Sequence, residues 1–264
     1  MSDRISVSIE HRVADVRLSR PDKLNALDLD MFEALVRTGE TLGADRSLRA
    51  VVLSGEGRAF CAGLDMSLFG DGVDGASRLF ERSGDSPANL AQRAAWIWNE
   101  VPVPVIAALH GVVYGGGLQI ALAADIRFVA PDAKLSVMEV KWGLVPDMSG
   151  TQTLRRLVRL DVAKELTFTG RVVSGTEAVE LGLASHVSDA PRDAAFELAR
   201  EIARRSPSAL RAGKRLLHES GLVGTEDGLQ LEEKLQRSLL GGRNQTEAIR
   251  NNVERREPDF SDPE

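Results

Sequence analysis

A chain of 264 residues, 43% hydrophobic and 27% charged, has the composition of an ordinary globular protein and can bury a sizeable core as one large domain or as a domain with an appendage. Its net charge of −6 and lack of a basic stripe exclude a typical nucleic-acid binder, and its longest apolar runs, 101–109 and 118–124, fall well short of the roughly 20 residues that a membrane span requires. A single cysteine, Cys61, excludes an internal disulfide, and the opening MSDRISVSIE has no apolar signal-peptide core, so a cytoplasmic protein without a membrane partner is expected.

Ile5 to Ile9 alternates apolar and polar residues, and Val13 to Leu18 does so again beyond His11-Arg12, the pattern of an antiparallel hairpin. Arg20-Pro21-Asp22 ends it in a turn. Asp28 or Asp30 can cap a helix carrying Met31, Phe32, Leu35 and Leu42, with Glu33 at capping-box distance from Asp30. Ala50 to Leu53 is a short, continuously apolar strand of the buried parallel kind, and its exit SGEGRAFCAG is loop chemistry. Residues 69–87, rich in Gly, Asp and Ser without a clean period, read as a mobile surface insertion. A helix through Ala91 to Trp98 follows. Then strand, loop and helix repeat as Val105 to Leu109, a glycine-led helix over Leu118 to Ala124, and a third strand at Ile126 to Val129. Strands separated by helices imply parallel pairing with both faces covered. From Asp161 onward strand signals fade, and Ala163 to Phe168, Thr176 to Leu181, Ala194 to Arg204, Pro207 to His218 and Asp227 to Leu240 read as helices. The expected class is α/β, with a core over 1–190, a helical C-terminal region over 191–264, and a polar tail, ERREPDFSDPE, that frays unless a partner subunit holds it.

Gly115-Gly116-Gly117 carries the strongest chemical signal. Three glycines bring backbone close to a ligand and leave N–H groups unpaired at a helix N-terminus, which suits an oxyanion or a phosphate equally well. The pattern is neither G-x-G-x-x-G nor a P-loop, which weighs against nucleotide phosphate; a plain close contact between strand and helix is the alternative. An oxyanion hole uses two donors, and Phe60-Cys61-Ala62-Gly63-Leu64-Asp65 holds the same topological place one repeat earlier. Asp65 alone reads as a helix cap, and Cys61, with no adjoining His or basic residue, as a small buried side chain rather than a nucleophile. Glu139 follows a strand-like segment, Leu135 to Met138, and Asp147 lies beyond a turn containing Gly143 and Pro146. A reversal between them can set two carboxylates on opposite walls of one pocket, where unequal environments make one a base and the other an acid. The alternative is that Asp147 or Ser149 only caps a helix over Thr151 to Val158. His11, His110, His186 and His218 are scattered, with no G-x-S-x-G and no metal-ligand spacing, so neither a serine-hydrolase triad nor a metal site is expected. His110, beside the glycine loop, reads as a hydrogen-bonding partner of that loop.

Taken together, RPDKLNAL at 20–27, GRAFCAGLD at 57–65, HGVVYGGGLQIALAADIRF at 110–128 and KWGLVPDMSGTQTLRRLV at 141–158 resemble the crotonase family, the enoyl-CoA hydratases and isomerases, in order and spacing over nearly the whole chain. The resemblance implies a spiral of repeated ββα units with a helical C-terminal part used in trimer formation, giving a homotrimer or a dimer of trimers. It also implies an acyl-CoA thioester substrate, coenzyme A being part of that substrate and no separate cofactor being needed. The thioester carbonyl oxygen would sit between the backbone N–H groups of Leu64 and Gly116, and the family's CoA-binding segments match Lys23, Leu24, Ala26 and Ala62.

One position departs from the hydratase pattern. Family hydratases carry a glutamate in the helix after the glycines and a second on the following strand segment; this chain has Gln119 and Glu139 there. Gln119 can orient water or substrate through hydrogen bonds but cannot take a proton as a base. Asp147 falls where the family's dienoyl-CoA isomerases carry a catalytic aspartate, and Glu139 matches their glutamate, although those isomerases have an aspartate where Gln119 stands. The leading expectation is an acyl-CoA isomerase using Glu139 and Asp147. Its rivals are 2-enoyl-CoA hydration with Glu139 as sole carboxylate and Gln119 positioning water, and a crotonase-like scaffold that binds acyl-CoA without turnover. Acyl length is expected to depend on the 69–87 segment and on Trp96 or Trp98.

Overall fold

The computed structural model describes residues 4–69, 77–82 and 86–263. Strands β1 (Ile5–Glu10) and β2 (Val13–Leu18) form the expected antiparallel hairpin, and β2 continues into a parallel run through β3 (Ala50–Gly55), β4 (Val105–Leu109), β6 (Ile126–Val129) and β9 (His186–Val187). A second sheet joins β5 (Val112–Tyr114), β7 (Lys134–Ser136) and β8 (Val173–Ser174). Each of β4 and β6 is thus followed at once by a short strand that leaves the main sheet for the second one. This is the strand-strand-helix repeat of the α/β crotonase-like spiral that the sequence implied.

The helices are α1 (Leu29–Ala44), α2 (Leu90–Glu100), α3 (Gly116–Leu122), α4 (Gly150–Leu157), α5 (Leu160–Thr169), α6 (Gly175–Leu181), α7 (Pro191–Ala203), α8 (Pro207–Ser220), α9 (Thr225–Leu239) and α10 (Arg243–Glu254). Asp28, not Asp30, caps α1, accepting the Met31 N–H at 3.0 Å, and Asn89 with Gln92 forms a full capping box on α2. Val51, Leu53, Val105 and Ala107 point from the sheet into the larger core with Phe32, Leu35 and Trp98. Their neighbours Ala50, Val52, Ile106 and Ala108 face the other way and meet Ala195 and Ala199 of α7. The alternation follows from the two-residue period of a strand covered on both faces. Helix α7, first of the 191–264 region, therefore covers a face of the sheet. Buried Lys214 of α8 donates to Asp125 at 2.7 Å and to the Val103 carbonyl at 3.0 Å, tying that helix to the ends of β4 and β6. Among the described residues no helix is long and apolar enough to cross a membrane.

Several expectations change. Residues 70–76 and 83–85 of the segment read as a surface insertion lie outside the described residues; between them Ser77–Phe80 makes a 3-10 turn with Leu79 buried. Trp98 is core and Trp96 lies under the Arg156 guanidinium, so neither tryptophan lines the acyl cavity described below. The C-terminal segment is not frayed. Residues 243–254 are helical, Ser261 donates to Asn244 at 3.0 Å, and Asp262 accepts from Arg12 at 2.7 Å and from Arg49 at 2.5 Å. The reason is electrostatic: Arg49 is 1% exposed, its other donors go to carbonyls of 46–48, and Asp262 is its counter-charge.

Asp262→Ala leaves that buried guanidinium without its carboxylate. It should lower the melting temperature by roughly 3–6 °C, from a loss of about 1–2 kcal/mol, in a calorimetric scan against the parent chain, whereas Asp259→Ala, whose side chain makes no such bond, should move it little.

Candidate active site

Parallel β3 and β4 deliver their C-terminal loops to one end of the sheet. The loop after β3 then runs beside β5, with Cys61 N–H on the Val112 carbonyl at 3.1 Å, Tyr114 N–H on the Cys61 carbonyl at 3.0 Å and Phe60 N–H on the His110 carbonyl at 2.9 Å. Buried Asn25 holds this loop from behind: its amide donates to the carbonyls of Glu56, Ala59 and Phe60 at 2.9–3.1 Å while its oxygen accepts the Arg20 N–H. Asn25 takes the left-handed conformation (φ +57°) that asparagine tolerates. Arg20 clamps Asp65 at 2.6 Å, and with the Ser67 N–H this pulls the Asp65 pKa down to about 2. Asp65 is a fixed carboxylate that holds the loop. His110 bonds the Gly57 carbonyl at 3.0 Å, so its partner is the loop after β3 and not the glycine loop beside which it was expected to act.

At Gly63 (φ +90°) a methyl group would come within 2.7 Å of the Tyr114 carbonyl oxygen, and Gly117 packs so tightly on Cys61 that a side chain there would reach its carbonyl at 2.6 Å. These glycines let the two loops touch. The N–H groups of Leu64 and Gly116, one on each loop, have no acceptor among the described residues. They are the two N–H groups at which the resemblance would set the thioester carbonyl oxygen. Cys61, buried against Gly117 with its thiol donating to the Asn25 carbonyl, has its pKa pushed up to about 12 by burial, which leaves it unreactive near neutrality.

Glu139 follows β7 and opens a 3-10 turn, Glu139–Trp142; Gln119 projects from α3; Asp147 lies on the loop before α4. Gln119 Nε2 donates to Glu139 Oε1 at 2.6 Å, and Gln119 Oε1 accepts from the Met148 and Gly150 N–H groups at 2.8 and 2.9 Å. Neither candidate cap of α4 caps it. Ser149 (φ +66°) makes no capping bond, its hydroxyl being without a partner among the described residues, and the distant Gln119 oxygen takes the helix's first N–H instead. Asp147 is thereby left free to face the cavity. Both lone pairs of the Gln119 oxygen are thus occupied, which leaves the second N–H of its amide as the group that could orient water or substrate.

A cavity of about 720 Å³ brings these groups together, with Lys23, Ala26, Ala62, Leu64, Tyr114, Gly116, Gln119, Glu139 and Asp147 on its walls. Leu24 is not on the wall; its carbonyl accepts the Ala62 N–H at 2.9 Å and so fixes the residue that is. Most of the remaining lining is apolar, from Phe32, Leu79 and Met148 inside to Trp142, Leu144 and Val145 exposed at the rim. Glu139, 8% exposed, has its pKa raised mainly by burial and also by the charge of Asp147, against the opposing hydrogen bond from Gln119. Asp147, reached by solvent along the cavity, is also raised, by the desolvation of its inner side. Sequence reasoning missed Asn25 and Arg20 as the frame of the loop and Trp142 as an exposed aromatic at the rim of the cavity. An asparagine between Leu24 and Ala26 just past a Pro-Asp turn was the readable signal for the first.

Comparison with known proteins gives the family. Residues 8–263 match the enoyl-CoA hydratase/isomerase family, and the chain belongs to it. It is 36% identical over 221 residues to the mitochondrial Delta(3,5)-Delta(2,4)-dienoyl-CoA isomerase of Mus musculus, covering 78% of this chain and 66%, just under two thirds, of that protein. It is 33% identical over 243 residues to the mitochondrial methylglutaconyl-CoA hydratase of the same species, covering 89% of this chain and 75% of that one. A crystal structure of enoyl-CoA hydratase from Bacillus anthracis superposes with a TM-score of 0.89 at 29% identity, covering 98% of this chain and 100% of that one. The family acts on acyl-CoA thioesters, and its members here include both isomerases and hydratases.

Because the folded-state pKa of Glu139 lies above the unfolded value, the folded protein binds the extra proton as pH rises past the ordinary carboxylate range, and stability is lost through that window. Glu139→Gln removes this loss. The variant should melt above the parent at pH 8, with the difference shrinking towards zero near pH 4, in melting curves recorded across that range.

Proposed function

We propose that this protein moves a double bond in a hydrocarbon enoyl-CoA by proton transfer between Glu139, Asp147 and an enolate held by Leu64 and Gly116. The observation that carries this reading is two carboxyl groups of raised proton affinity, interacting across one apolar cavity, beside two unpaired N–H groups. In the proposed step Glu139 removes the α-proton of the bound thioester and the electron pair moves onto the carbonyl oxygen, where each N–H donor is typically worth about 3–4 kcal/mol. Asp147, as the carboxylic acid, then returns a proton at the far end of the conjugated system: C4 for a 3-enoyl chain, C6 for a 3,5-dienoyl chain. One proton leaves and one arrives, so the product is an isomer. Proton exchange with solvent resets both carboxyl groups.

The two-glutamate route to hydration requires a second carboxylate beside Glu139. Gln119 does not offer one, and its oxygen is already taken by two backbone N–H groups, which supports isomerisation over the hydratase alternative in which Glu139 works alone. Lys23 at the cavity wall supports the carry-over of Lys23, Leu24, Ala26 and Ala62 as the CoA-binding segment. The exposed Leu217, Leu229 and Val253 of the C-terminal helices support a homotrimer or dimer of trimers.

The test is incubation with 2-enoyl-, 3-enoyl- and 3,5-dienoyl-CoA in deuterated water, read by mass spectrometry. Double-bond migration with deuterium incorporated and no water added is expected, with turnover reduced about 10²-fold or more in both Glu139→Gln and Asp147→Asn. Gain of one water by 2-enoyl-CoA that survives Asp147→Asn would make the protein a hydratase. Binding without any change in the three substrates would leave an acyl-CoA scaffold. Turnover against pH should trace a bell whose two limbs belong to the coupled Glu139–Asp147 pair, since the step needs one of them ionised and the other protonated.

A further inference from the structure

Gln119 is 3% exposed, and its carboxamide joins two separate stretches of chain. Its oxygen takes the N–H groups of Met148 and Gly150, which flank Ser149 directly after Asp147; its nitrogen reaches Glu139 Oε1. The chemistry of this triangle dictates the side chain at its centre. Two of the three bonds need an acceptor at position 119, and the third needs a donor towards a carboxylate. An ionised carboxylate meets the first demand and repels Glu139; a carboxylic acid meets both only while it keeps its proton; an amide meets both at any pH. Glu139 is in turn left asymmetric, with Oε1 engaged and Oε2 buried without a partner among the described residues. Buried polar atoms without partners are uncommon and concentrate where a protein keeps reactive capacity.

We infer that Gln119 is a positioning residue, a neutral clamp that fixes Glu139 and the Asp147 loop to one carboxamide and leaves Glu139 Oε2 as the oxygen that takes the substrate proton. The inference rests on the isomerase reading for its reaction, but its geometry is independent of the product formed. Gln119 acts through Glu139 and Asp147 and needs no contact with the reacting carbons. The titratable groups that share the cavity with Glu139 are Asp147 on the loop before α4, Asp65 on the loop after β3, Tyr114 at the end of β5 and Lys23 across the mouth. Asp65 is already ion-paired with Arg20, and Asp147 is the one whose charge opposes ionisation of Glu139. The Gln119 N–H works in the other direction and favours the ionised base.

Two variants separate this role from a merely structural one. In Gln119→Ala, the Glu139 titration should move to higher pH. It can be followed by ¹³C NMR of substrate-free protein labelled at the glutamate carboxyl carbon and assigned by its loss in Glu139→Gln. With 3-enoyl- or 3,5-dienoyl-CoA, kcat should fall about 10²-fold, the usual cost of a misplaced catalytic group, while KM changes less than threefold. Gln119→Glu keeps the shape and the two bonds to Met148 and Gly150, and it shares one proton with Glu139 in place of the amide hydrogen. It should work near the parent rate at low pH and lose activity as that proton leaves, so that its descending limb lies at lower pH than the parent's. An unmoved Glu139 titration in Gln119→Ala, or a Gln119→Glu profile parallel to the parent's, would overturn the clamp whatever reaction is found. A shifted titration in a protein that moves no double bond would leave the clamp standing and sink the isomerase reading. If Gln119→Ala does not fold, the isosteric Gln119→Glu profile decides alone.

Discussion

The contact between the loop after β3 and the junction of β5 with α3 is the constraint on which the rest of the site depends. Two segments of backbone meet there with almost no side chain between them. Gly63 lies against the Tyr114 carbonyl and Gly117 against Cys61, so that Leu64 and Gly116 present their N–H groups from opposite banks. A single methyl group at either glycine would force the banks apart. The cost is conformational: Gly63, Gly115 and Asn25 all take positive φ, and loops of this kind must be held from outside. The buried amide of Asn25 and the Arg20–Asp65 pair supply that hold. The RPDKLNAL stretch thus serves the geometry of a loop that follows it by some three dozen positions.

The same logic governs the carboxylates. Burial of Glu139 and of the inner side of Asp147 raises both proton affinities, a condition that favours proton transfer and that a stable fold resists. A neutral amide at 119 meets both conditions. It gives Glu139 one directed hydrogen bond without adding a third negative charge, and it takes the first N–H of α4 so that the carboxylate of Asp147 is not drawn into that task.

Much of this was legible in the chain. The hairpin, the three parallel strands with their helices and the close approach of two glycine-containing loops followed from alternation, apolar runs and glycines, because those signals are local. The family resemblance added the acyl-CoA substrate class and the repeated ββα unit. What stayed hidden was long-range. Strands β8 and β9 span two residues each and owe their existence to neighbours, not to propensity. Helix α10 was lost because RNQTEAIRNNVE is too polar to display a face. Gln119 read as a group that orients water or substrate, for nothing in sequence reveals that Met148 and Gly150 turn their N–H groups toward it. Neither could the tail be seen to return to Arg49, since the two are separated by 213 positions.

That last separation bears on the order in which the fold can close. Arg49 directly precedes β3, and its carboxylate partner lies 213 positions further along the chain. Until that stretch folds back, the start of an interior strand carries a guanidinium with nothing to neutralise it, and the face of the sheet behind it stays bare until α7 has docked. Local hairpin and strand contacts can form the main sheet early, whereas its cover and its counter-charge wait on the closure of long loops.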